Sequence, residues 1–127
     1  MKYLLDTHIL IWLAEDSKQA FKIKRLLQDI NTEVFVSVAT IWELVIKKAK
    51  GKLDTPKDIE GLIDKSGFTV LPIEISHVLA VGQLPTYKDH SDPFDRILIS
   101  QAKVEGLTLI TSDPKIWKYK QISLIKA

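Results

Sequence analysis

The sequence predicts an α/β fold with a central parallel sheet of about five short strands flanked by helices. Three observations predict it. Short β-branched and aliphatic runs alternate with longer stretches of helical periodicity along the chain. Asp6, Ser37 and Asp113 stand just past three of those runs, where a helix-capping residue is needed. The size and composition, 127 residues with 46% hydrophobic and 27% charged, suit one globular domain over residues 1–127 that buries roughly two thirds of its unfolded surface.

Taken in order, Lys2 to Leu5 reads as the first strand, with Asp6 at its end and a helix starting near Thr7. Val34 to Val36 is the second. The helix after it carries Val38, Ile41, Trp42, Val45, Ile46 and Ala49 at helical spacing, a stripe expected to face the core. Gly51 is placed to stop that helix, and Lys47, Lys48 and Lys50 suit the negative end of its dipole. Thr69 to Leu71 is the third strand. The segment 82–91, with Pro85, reads as an exposed loop. A helix is expected from Pro93 to about Glu105, burying Phe94, Ile97, Leu98 and Ala102 and ending at Gly106. Leu107 to Ile110 and Ile122 to Leu124 complete the strands. No repeat or linker interrupts this order.

Composition narrows the chemistry. Without cysteine there is no thiolate zinc site, thiol nucleophile or disulfide framework, so any metal is held by oxygen or imidazole. The longest apolar run is cut by Asp6, Thr7 and His8, too soon to span a bilayer, and no signal-peptide pattern precedes it. A cytoplasmic protein without a membrane partner is expected. A formal net charge of +2 permits weak attraction to nucleic acid without singling it out. Lysines cluster at Lys47, Lys48, Lys50 and Lys52 and again at Lys115, Lys118 and Lys120, patches that also suit a solvated surface.

The acids carry the functional signal. Asp6 and Asp113 follow strands, where a parallel sheet places its ligand site, but both also suit helix caps. In Asp-Pro-Phe-Asp, Asp92 and Asp95 match the N-cap and third position of a helix start. Glu43 lies inside its helix, so capping does not explain it; an ion pair with Lys47 one turn on is its ordinary role. If Asp6, Glu43, Asp95 and Asp113 converge, like charges at close range call for a hard dication, Mg2+ or Mn2+. The alternative is a non-catalytic α/β binding or regulatory module whose acids are helix caps.

Four segments in register resemble the PIN-domain ribonucleases, especially VapC-type toxins of toxin–antitoxin pairs. They are Tyr-Leu-Leu-Asp-Thr-His from Tyr3, Ser-Val-Ala-Thr-Ile-Trp-Glu-Leu from Ser37, His-Ser-Asp-Pro-Phe-Asp-Arg from His90, and Leu-Ile-Thr-Ser-Asp from Leu109. The resemblance implies a Mg2+- or Mn2+-dependent endoribonuclease with Asp6, Glu43, Asp95 and Asp113 as catalytic metal-binding acids and Asp92 as an auxiliary ligand or helix cap. It places Thr7, Ser37 and Thr111 or Ser112 where hydroxyls support the acids. His8 and Arg96 are candidates for contacting substrate. The resemblance also implies an RNA substrate, a homodimer and a VapB-like antitoxin, for which Trp12, Trp42 and Trp117 offer apolar area.

Overall fold

The computed structural model describes residues 1–51 and 58–127; Lys52 of the first lysine patch lies outside the described residues. The elements run β1 (Lys2–Leu5), α1 (Thr7–Glu15), α2 (Lys18–Leu27), β2 (Glu33–Ser37), α3 (Val38–Ala49), α4 (Ile59–Ser66), β3 (Thr69–Leu71), α5 (Ile75–Val81), α6 (Pro93–Glu105), β4 (Thr108–Thr111), α7 (Pro114–Trp117) and β5 (Ser123–Lys126). The expected strands form, the last two displaced toward the C-terminus by one or two residues.

The strands make a five-stranded sheet in the order β3-β2-β1-β4-β5, with every neighbouring pair parallel. The chain winds outward from β1 through β2 to β3, then crosses back to lay β4 on the other side of β1. The carboxyl ends of β1 and β4 therefore flank the point where winding reverses, the crevice in which open α/β sheets hold ligands. Asp6 follows one of these strands, and Asp113 lies just past the other.

Alternation along the strands divides the core between the two faces of the sheet. Tyr3, Leu5, Val34, Val36 and Ile110 pack with Ile9, Leu10, Ile23 and Leu44. Leu4, Leu71 and Leu109 pack with Leu98, Ile99, Ala102, Ile116 and Tyr119. Burial on both faces explains why β1 and β4 read as continuous apolar runs.

Three expectations are corrected here. The stripe on α3 does not face the core: Val38, Trp42 and Val45 are exposed, and Ala39, Thr40, Glu43 and Leu44 are buried. This helix is apolar nearly all round, so periodicity offered two stripes, and the one turned inward includes a threonine and a glutamate. Segment 82–91 is not wholly exposed, since Leu84 and His90 are buried. In α6 the buried face is Leu98 to Ala102, while Phe94 and Ile97 are half-buried. Phe94 meets Trp42 edge-on, with ring centroids 4.9 Å apart. Among the described residues no helix is long and apolar enough to cross a membrane.

Candidate active site

β1 ends by delivering Asp6 into the crevice, where the residue is only 4% exposed. Its Oδ1 accepts the Thr7 N–H at 2.7 Å, the capping contact expected at the start of α1. Capping uses one oxygen. The other, Oδ2, accepts the Thr111 hydroxyl at 2.6 Å, a contact between residues at the ends of two neighbouring strands. Burial pushes the Asp6 carboxyl upward, opposed by the Thr111 and Thr7 bonds and reinforced by the charge of Glu43. The Thr7 hydroxyl donates to Glu43 Oε1 at 2.5 Å. Glu43 Oε2 pairs with Lys47 Nζ at 3.1 Å, one helical turn away.

On the other side of the crevice α6 and α7 begin. Asp92 caps α6, accepting the N–H groups of Phe94 at 2.9 Å and Asp95 at 3.1 Å. Asp113 caps α7 by accepting the Lys115 N–H at 2.9 Å, and its own N–H donates to the Thr111 hydroxyl oxygen at 3.1 Å. Thr111 thus joins the two sides, donating to Asp6 and accepting from Asp113. Asp95 is not a cap. Its Oδ2 lies 3.0 Å from His90 Nε2.

His90, Asp95 and Asp113 each offer a ligand atom within 4.8 Å of the other two, a cluster able to coordinate a divalent cation. A polar pocket lined by Asp89, His90, Ser91, Asp92, Asp95, Asp113 and Lys115 opens over them. The Asp95 carboxyl is pushed up to about 7, chiefly by burial; the His90 bond opposes this, and the charges of Asp6 and Asp92 add to it. One imidazole and two carboxylates make a donor set that fits a divalent cation.

A PIN domain model matches residues 3–121 of the chain. The chain belongs to the PIN-domain family. Solved structures share this PIN fold over almost the whole length. VapBC2 from Rickettsia felis, bound to a DNA fragment from its promoter, has a chain 18% identical, covering 100% of this chain and 99% of that one with a TM-score of 0.76. VapBC-1 from nontypeable Haemophilus influenzae is 21% identical, covering 99% and 98% with a TM-score of 0.70. A toxin–antitoxin complex from Klebsiella pneumoniae is 22% identical, covering 98% and 96% with a TM-score of 0.69. No curated protein matches the sequence.

Within this PIN domain several candidates sit elsewhere than expected. Ser37 caps α3 through the Ala39 N–H at 3.0 Å and donates to Gln101 Oε1 at 2.6 Å, so it supports α6 and not an acid. Thr111, and not Ser112, carries the contact to Asp6. Arg96, a candidate for contacting substrate, is committed inward: its guanidinium donates to Pro85 O at 2.8 Å, Tyr119 OH at 3.0 Å and Val81 O at 3.4 Å. His8 is exposed at the second position of α1. Lys118 pairs with Asp89 and lies 4.5 Å over the Tyr87 ring, which leaves Lys115 as the lysine of its patch that lines the acid pocket.

His90 and Tyr119 went unassigned in the sequence reading. His90 opens the segment His-Ser-Asp-Pro-Phe-Asp-Arg, but no spacing rule separates such a histidine from a loop residue. Tyr119 lies 29 residues from its partner His90 and left no local trace.

Proposed function

We propose that this PIN domain is a metal-dependent endoribonuclease and the toxin component of a toxin–antitoxin pair. The observation that carries the reading is the gathering of His90, Asp95 and Asp113 within 4.8 Å, beside a buried Asp6. Asp6, Glu43, Asp95 and Asp113 serve as the acids of the metal site, with Asp92 fixing the first turn of α6 so that Asp95 faces the others. Oxygen donors favour Mg2+ or Mn2+. An ion held by these acids would supply the positive charge needed to activate a water and to offset charge developing on the phosphodiester.

The chain's own residues prepare this chemistry. The Thr111 and Thr7 bonds hold Asp6 in one orientation, and the Thr7 hydroxyl and Lys47 hold Glu43. Lys115 at the pocket and Lys47 at the Glu43 side attract the RNA backbone, so cleavage weakens as salt rises. RNA as substrate puts this work in the cytoplasm.

Solved relatives are VapBC assemblies, and on that analogy this chain pairs with a VapB-like antitoxin; the resemblance to PIN-domain ribonucleases further implies that it pairs with itself. Two features support partners. Trp42 and Val45 of α3 and Ile75, Val78 and Leu79 of α5 are exposed apolar side chains. A groove beside α1, α2 and β5 is lined by Trp12, Ile23, Leu26 and Ile125.

The capping contacts of Asp6, Asp92 and Asp113 favour a second reading, a binding module without catalysis. Incubating the purified chain with RNA, with Mg2+ or Mn2+ and then with chelator, separates the two. Metal-dependent cleavage is expected to fall by on the order of a hundredfold or more in Asp6→Asn and Asp95→Asn, with unchanged circular dichroism. Parent-level cleavage by Asp95→Asn, or cleavage indifferent to chelator, would sink the metal-nuclease assignment.

A further inference from the structure

Behind Asp95 runs a buried polar chain that the acid site does not by itself require. Tyr119 is fully buried and its hydroxyl has two polar neighbours, Arg96 Nη1 at 3.0 Å and His90 Nδ1 at 2.9 Å. A guanidinium only donates, so Arg96 gives a hydrogen bond to the Tyr119 oxygen and takes none back. The phenolic proton of a buried tyrosine needs an acceptor, and among the described residues His90 Nδ1 is the one within reach. Arg96 cannot swing away to alter this, because Pro85 O and Val81 O hold its other N–H groups. His90 itself is 4% exposed, with its ring edge-on to Tyr119 at a centroid separation of 5.4 Å.

We propose that Arg96 and Tyr119 orient His90 so that its Nε2–H is donated to Asp95, and that this ring positions Asp95 for the cation instead of ligating the cation itself. With Nδ1 accepting from tyrosine, the ring proton resides on Nε2 and is donated to Asp95 Oδ2 at 3.0 Å. Imidazole binds metals through an unprotonated nitrogen, and His90 has none directed at the acids. Asp95 keeps Oδ1 for the cation. The second half of this proposal rests on the metal-nuclease reading, and it deepens that reading by making the ligand set all oxygen, which selects Mg2+ or Mn2+ over zinc. It also explains the inward commitment of Arg96: the residue acts at a distance of two hydrogen bonds.

Two measurements test the halves separately. Nitrogen NMR of the metal-free protein labelled at histidine is expected to show His90 with Nδ1 bare and Nε2 protonated, and Tyr119→Phe is expected to mix the tautomers. A wild-type spectrum with Nδ1 protonated would overturn the tautomer. Calorimetric titration with Mn2+ is expected to show His90→Ala weakened about tenfold or more, and His90→Gln, whose amide places an N–H where Nε2 stood, restored to within about threefold of wild type. Equal losses in His90→Gln and His90→Ala would mark His90 as a ligand and overturn the positioning role. Wild-type protein that bound no Mn2+ would remove the cation half together with the function proposed above, while the spectrum would still decide the tautomer.

Discussion

The two sides of the acid crevice are built differently. On the β1 side, Asp6 and Glu43 are 4% and 7% exposed, and their oxygens are met by threonine hydroxyls, a backbone N–H and an ammonium. On the α6 side, Asp95 and Asp113 line an open polar pocket and receive one imidazole and one backbone N–H. The first side finds its hydrogen-bond partners within the fold, although burial still raises the Asp6 carboxyl. The second still lacks positive charge, which is why burial and neighbouring acids leave Asp95 holding its proton up to about 7. A half whose oxygens are met within the fold thus stands beside a half that a cation would complete.

The largest effect that separates the halves is with pH. In the unfolded chain Asp95 releases its proton near pH 4, whereas in the folded chain it keeps it to about 7. The folded state therefore binds more protons across that interval, and the metal-free protein loses stability as pH rises from about 4 to 7, by on the order of a few kcal/mol. Asp6, also raised, adds to the same slope. Urea titrations across this range should show the decline, flattened in Asp95→Asn, and Mn2+ affinity should climb with pH as the proton leaves. A stability that rose over that range would contradict the contrast drawn above.

Thr111→Val strikes the joint between the sides, taking a donor from buried Asp6 and an acceptor from the Asp113 N–H. We expect a loss of about 2 kcal/mol, read from the urea midpoint at constant slope. Ser37→Ala removes a cap and the buried bond to Gln101, neither of them a contact to an acid; about 1–2 kcal/mol of stability should go while RNA cleavage per folded molecule is unchanged. Lys47→Gln should have the smallest effect on stability, no more than about 0.5 kcal/mol by thermal melting, since the lysine is partly solvated and Thr7 still serves Glu43.

Local signals in the chain were read where local physics decides. A capping aspartate followed by proline announces α6 and α7, and a short apolar run announces each strand, because those preferences reside in a few consecutive residues. The reading failed at α3, where apolar residues on nearly every side made the inward face a matter of packing and not of period. Arg96, and the second partner of the Ser37 cap, were also beyond local signals, since Tyr119 and Gln101 lie on distant elements.

By itself the sequence determined the α/β class, the strands, the starts of α1, α3, α6 and α7 and the stock of acids, since each depends on neighbours along the chain. Only the tertiary structure decided which acids meet. The strand order sets Thr111 against Asp6 across 105 positions, and the packing of segment 82–91 under α6 seats His90 between Tyr119 and Asp95. Such contacts follow from which strand lies beside which and which helix face is buried, and no run of adjacent residues encodes that.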